Sequence, residues 1–111
     1  MMKIASKKRK ASLLQNLVKN KILKSFPHLK KFDVRTPLNG ENGPDIILSD
    51  VAKKLVGCNF ETKNQNKMKT VYDWFKQASK NTKLRPVVVM KMNSRDPLVV
   101  ININDFFDLI S

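Results

Sequence analysis

The sequence predicts an α/β domain in which a mixed β-sheet is flanked by helices, in the order helix, three strands, helix, two strands. Two stretches place apolar residues at helical spacing, and five short stretches alternate or run apolar as strands do. Turn-forming residues separate them. The chain has 111 residues, the length of one ordinary domain. Residues 1–10 are mostly charged and small and are expected to form a flexible basic arm, leaving 11–111 as a single domain.

Each element has a local reason. From Ala11 to Phe26, Leu13, Leu14, Leu17, Val18 and Ile22 mark one face of an amphipathic helix, with Ser12 as a cap and Pro27 as its stop. Phe32–Thr36 alternates like a short strand, and Pro37–Gly43 reads as a loop. Asp45–Leu48 is the second strand. Ser49 is placed to cap a helical turn over Asp50–Leu55, and Val56–Lys63 is the third strand. Met68–Lys80 forms a second long helix with Val71, Trp74, Phe75 and Ala78 on one side. Val87–Met90 and Leu98–Ile103 are the last strands, joined by a turn at Asn93–Pro97, and Asn104 or Asp105 would cap a short final helix. Three consecutive strands suggest an antiparallel meander, and a crossover helix returns the chain to a parallel neighbour.

Charge narrows the class of partner. Lys and Arg number 22 against nine Asp and Glu, a net charge of +13. Residues 1–31 carry ten basic and no acidic side chains: Lys3, Lys7, Lys8, Arg9, Lys10, Lys19, Lys21, Lys24, Lys30 and Lys31. Such a cationic stretch is an electrostatic footprint for a polyanion, and nucleic acid is the common one. A basic segment that only aids solubility is the plainer alternative. The lone Cys58 cannot form an internal bridge, which fits a reducing cytoplasm. No run approaches the ~18 apolar residues of a membrane span. Neither a membrane partner nor a small-molecule cofactor is expected.

With so few acids, their placement is informative. Asp45 opens the second strand directly after Gly43-Pro44. Strand alternation puts Asn59, Glu61 and Lys63 on one face of the third strand and Phe60 and Thr62 on the other. Pairing of strands two and three would bring Asp45 beside Glu61, so that two carboxylates converge near a lysine. One or two carboxylates with water and phosphate oxygens form the usual Mg²⁺ site. A nearby lysine suits the charge that develops on an attacked phosphate. The plainer reading is a structural ion pair of Glu61 with Lys63.

Gly43-Pro44-Asp45 followed by Glu61-Thr62-Lys63 resembles the signature of the PD-(D/E)XK nuclease superfamily, and the element order resembles its restriction-endonuclease-like core. The stretch Glu61-Thr62-Lys63-Asn64-Gln65 is similar to one in small bacteriophage-encoded endonucleases and Holliday-junction resolvases. The resemblance runs from about Lys8 to Leu109. It implies a DNA endonuclease in which Asp45 and Glu61 hold Mg²⁺ or Mn²⁺ and Lys63 assists catalysis. The superfamily often adds a glutamate from the first helix; here Gln15 occupies that place, as a neutral ligand or phosphate contact, and Gln77 is a weaker candidate. Lys7, Lys8, Arg9, Lys10, Gln65, Lys67 and Lys69 are the expected contacts to DNA. A junction-cutting version would need two active sites, hence a two-fold homodimer.

Other residues have ordinary explanations. His28 lacks partner ligands and reads as a surface loop residue, while Cys58 reads as inert packing. Trp74 is expected in the core rather than on a base. Tyr72 shares the option of stacking, Lys91 is open between solvent and phosphate, and Glu41, just before Asp45, is expected to be exposed rather than a distant metal ligand. A non-catalytic nucleic-acid-binding protein is the main rival to a nuclease. A regulatory protein that docks an acidic surface is the weaker one.

Overall fold

The computed structural model describes residues 4–111. The described chain is mixed α/β, with four helices and two separate two-stranded antiparallel pairs. It divides into two compact units. The first comprises the chain up to Asn64 with Ile110–Ser111, and the second comprises Gln65–Leu109.

The first unit begins with α1, Ile4–Ser25. The basic tract expected as an arm is therefore helical from Ile4; residues 1–3, Lys3 among them, lie outside the described residues. No Gly or Pro interrupts this stretch, and its Ala, Lys, Arg, Leu and Gln residues are good helix formers. Ser12 consequently sits inside the helix rather than at its cap. Pro27 ends α1, with the Phe26 amide still donating to the Ile22 carbonyl at 2.9 Å. Val18 and Ile22 are buried one turn apart, and Leu14 and Gln15 are half-buried on the preceding turn.

The strand expected over Phe32–Thr36 contracts to β1, Val34–Arg35. A local competitor takes its first residues. The Asp33 carboxylate accepts from the Lys30 amide at 2.7 Å, and the Asp33 amide donates to the Lys30 carbonyl at 2.9 Å. These bonds wind Lys31–Asp33 into a 3₁₀ turn that leaves Phe32 on the surface. β2 is Ile47–Leu48 and pairs antiparallel with β1, Val34 opposite Leu48 and Arg35 opposite Ile47. Pro37 and Pro44 lack the amide a longer ladder would use.

Ser49 caps α2, Asp50–Val56, as its position predicts. Its hydroxyl oxygen accepts from the Ala52 amide at 3.1 Å and donates to Asp33 Oδ1 at 2.7 Å, while its amide donates to the Asp33 carbonyl at 2.8 Å. Asp33 is thus a buried carboxylate with a donor on each of its oxygens. The Lys30 amide first, then the Ser49 hydroxyl, hold its pKa below the ordinary carboxylate range. Val34, Ile46, Ala52, Val56 and Leu29 complete the core of this unit with Val18 and Ile22.

The expected third strand does not form a ladder. Helix α2 runs through Val56 and closes on Gly57, whose left-handed φ of 68° is cheap only for glycine. Residues 57–65 then follow without regular structure. No continuous three-strand mixed sheet is present among the described residues.

In the second unit α3 spans Lys69–Ser79, β3 Val88–Met90 and β4 Leu98–Val100, and α4, Ile103–Ile110, belongs to it through Leu109. Val71, Phe75 and Ala78 are half-buried along one side of α3, and Lys69 and Asp73 pair at 2.7 Å on its surface. β3 and β4 form an antiparallel pair, with Val88, Val89 and Met90 opposite Val100, Val99 and Leu98. The last strand is shorter than expected because Asn102 caps α4, one turn before Phe106. Its side chain accepts from the Asn104 amide at 2.8 Å, displacing the cap expected at Asn104 or Asp105. Asp105 lies 3.6 Å from Arg85, and the buried Phe107 ring meets Phe106 edge-on at 5.3 Å.

Candidate nuclease site

The loop before Asp45 is clamped. Arg35 reaches from β1 and donates from both terminal nitrogens to the two carboxylate oxygens of Glu41, each at 2.9 Å. Glu41 Oε1 also accepts from the Leu38 amide at 2.8 Å, and the Glu41 amide donates to the Leu38 carbonyl at 2.9 Å. The guanidinium, and then the Leu38 amide, hold the Glu41 carboxyl at about 2. Both Glu41 oxygens are engaged, so this acid orders its loop. Gly43, at a φ of 125° open chiefly to glycine, and then Pro44 deliver the chain to Asp45.

Asp45 is half-buried. Its Oδ2 accepts from the Thr62 amide at 2.7 Å and from the Thr62 hydroxyl at 3.2 Å. The segment after α2 is therefore held against the start of β2 by a carboxylate rather than by a ladder. It keeps the burial rhythm of a strand: Cys58, Phe60 and Thr62 are half-buried, whereas Asn59, Glu61 and Lys63 are exposed. Glu61 and Lys63 share one side, with Lys63 Nζ 3.1 Å from Glu61 Oε1 and both side chains about two-thirds in solvent. Asn64 Nδ2 donates to the carbonyl of Lys10 at 3.5 Å, which ties the same segment to α1.

The structure thus brings Asp45 to the Glu61–Lys63 segment, but through Thr62. Sequence alternation assigns Thr62 to the opposite face and does not identify it as the Asp45 partner; a hydroxyl flanked by Glu61 and Lys63 is the signal that could have done so. Gln15 is half-buried on α1, and no hydrogen bond joins it to Asp45, Glu61 or Lys63 among the described residues. Lys7, Lys8 and Arg9 are exposed on α1, and Lys10 is half-buried at the head of the Leu14–Val18–Ile22 stripe. Gln65, Lys67 and Lys69 belong to the second unit and are exposed, with Lys69 engaged by Asp73. His28 is exposed in the turn after α1, as expected. Trp74 departs from expectation: it is 46% exposed rather than core.

Among the described residues no group of three or more His, Cys, Asp or Glu side chains converges. Asp45 and Glu61 offer only oxygen. Mg²⁺ and Mn²⁺ take oxygen donors of this kind, but the Asp45 bond is made to Thr62, on the other side of the segment from Glu61, so it does not itself draw the two carboxylates together. No helix among the described residues is long and apolar enough to cross a membrane. Comparison with protein families, with characterised proteins and with solved structures gives no match for this chain.

Proposed function

We propose that this chain is a metal-dependent endonuclease acting on DNA in the cytoplasm, with Asp45, Glu61 and Lys63 at its centre. The observation that carries this reading is the 2.7 Å bond from the Thr62 amide to Asp45, which sets the acid against the Glu61-Thr62-Lys63 segment. Asp45 and Glu61 would hold Mg²⁺ or Mn²⁺, which when bound polarises a phosphate and acidifies a water. Lys63 neutralises Glu61 in the free protein and is released to face a phosphate when that carboxylate is otherwise engaged. The exposed cations of α1 grip the backbone without regard to sequence. The restriction-endonuclease-like core belongs to this proposal, with segment 57–63 taken as the counterpart of its third strand. A version that resolves four-way junctions requires a two-fold homodimer.

The test is cleavage of labelled duplex, single-stranded and four-way-junction DNA with Mg²⁺, Mn²⁺ or EDTA, beside Glu61→Gln and Lys63→Ala. Metal-dependent cutting that both variants lose supports the reading. Undiminished cutting by Glu61→Gln ends it.

The 3.1 Å pair between Glu61 and Lys63 favours a second reading, a non-catalytic DNA-binding protein in which those two charges only satisfy each other. That protein would bind DNA with a steep salt dependence, need no metal and release no product.

A further inference from the structure

The second unit contains a groove that the proposed nuclease centre does not use. It lies between α3 and the β3–β4 pair and has a volume of about 1110 Å³, with Trp74, Ala78, Met90, Met92 and Leu98 in its wall and Gln77, Lys91, Arg95 and Asp96 among its polar groups. Sites for small ligands run to roughly 300–1000 Å³, so the space admits more than one flat ring. Trp74 leaves nearly half of its surface open to solvent there. A tryptophan left this open, beside exposed Met92 and Leu98, is an incomplete apolar surface.

Charge around the groove selects the occupant. Lys91 and Arg95 line it, and Lys76 and Lys80 line the adjoining depression on α3. The acids nearby are largely committed, Asp73 to Lys69 at 2.7 Å and Asp105 to Arg85 at 3.6 Å, which leaves Asp96 against four cations. The fitting ligand therefore has a flat apolar part and a negative part in close succession, as a nucleotide does. A second copy of this chain, at a net charge of +13, does not bring the negative part that Lys91 and Arg95 call for.

We infer that this groove binds an unpaired nucleobase of single-stranded DNA, stacked on Trp74, with the adjacent phosphates held by Lys91 and Arg95. Stacking on an aromatic ring is open to any base, while lysine and arginine follow the backbone. The inference rests on the nuclease reading for its purpose: it makes the preferred substrate a DNA that carries unpaired nucleotides. The binding itself stands apart from cleavage.

Trp74 is the only tryptophan, so its emission reports on the groove directly. The full chain in EDTA, where metal-dependent cutting is blocked, would be titrated with an oligothymidylate of about 15 nucleotides and with blunt duplex. The expected result is quenching by the single strand, and single-strand affinity, read for the variants by the anisotropy of a dye-labelled oligothymidylate, reduced about tenfold in Trp74→Ala but largely kept in Trp74→Phe. Duplex affinity should change less than about twofold in Trp74→Ala, since backbone contacts dominate there. Lys91→Ala/Arg95→Ala, which keeps the ring, should flatten the salt dependence of single-strand binding by the equivalent of about one to two phosphates. Binding of the oligonucleotide with unchanged emission overturns the inference. So does an equal loss for duplex and single strand, an emission change that tracks protein concentration alone, or one produced by polyglutamate and not by oligothymidylate. Quenching without metal-dependent cleavage sinks the nuclease reading and leaves the groove; cleavage without quenching does the reverse.

Discussion

Asp45 holds Thr62 by two hydrogen bonds to a single carboxylate oxygen, 2.7 Å from the amide and 3.2 Å from the hydroxyl. The bond spans 17 positions of sequence and fastens a segment that lies outside any ladder to the residues just before β2. The same residue is thus a structural acceptor and, in the nuclease proposed above, a metal ligand as well.

Those two roles separate by substitution. Asp45→Asn keeps an oxygen acceptor for the Thr62 amide but removes the charge. It should unfold in denaturant near the wild-type midpoint while cleavage falls by about a hundredfold or more. Asp45→Ala strands the amide, and unfolding should show a loss of about 1–3 kcal/mol. Equal stability losses in both would mean that the charge itself holds the segment.

Glu61 and Lys63 are two-thirds exposed, and a pair in that setting contributes little to stability. Lys63→Ala should therefore shift unfolding by less than about 1 kcal/mol. Cleavage, by contrast, should drop by about a hundredfold or more, and chelation with EDTA should abolish it without moving the unfolding midpoint. A Lys63→Ala protein that cuts normally would return the pair to a surface role.

The Arg35–Glu41 clamp should be sensitive to acid. The folded Glu41 carboxyl lies at about 2, below its ordinary 4.5, so the ionised form is the one that folding favours. Its contribution is fully present above about 4.5 and is lost as pH falls toward 2. Acid titration of unfolding should show this dependence in the wild type and a flatter profile over that window in Glu41→Gln. Identical profiles would show that the fork does not order the loop.

Ser49→Ala removes the α2 cap and one donor to the buried Asp33. Capping serines contribute about 0.5–2 kcal/mol, and Ser49→Ala should lose an amount in the upper part of that range. Ser49→Asp would test the pairing specifically, since it keeps a capping oxygen but sets two carboxylates against each other. Thermal or urea unfolding should rank it below wild type.

Lys7, Lys8 and Arg9 are exposed on α1. Replacing them singly by alanine should weaken duplex binding alike across sequences and lower the salt slope by about one for each phosphate the side chain had neutralised. An unchanged slope would assign that neutralisation to other cations.

Much of the fold was legible because its signals are local. Ser49 and its N-cap bond lie within three residues, Pro27 stops α1 just past its last turn, and the apolar runs at Val87–Met90 and Leu98–Val100 find each other across a short turn. The charge asymmetry and the scarcity of acids drew attention to Asp45, Glu61 and Lys63 before any fold was known. Other features needed the folded chain. Residues 56–63 read as a strand by alternation, yet a ladder requires a partner edge that local pattern does not supply, and Gly57 is taken up in closing α2. The Lys30–Asp33 bond outcompeted the strand at Phe32 because it forms within one turn. The exposure of Trp74 is likewise non-local: periodicity places it beside Val71 and Ala78, but only packing decides which flank of that face is covered. What the sequence determined by itself was the excess of positive charge and its placement, the helices with their stops and the short list of acids. Only the tertiary structure decided that Asp45 reaches its segment through Thr62, because a hydrogen bond between distant residues depends on where the intervening chain turns.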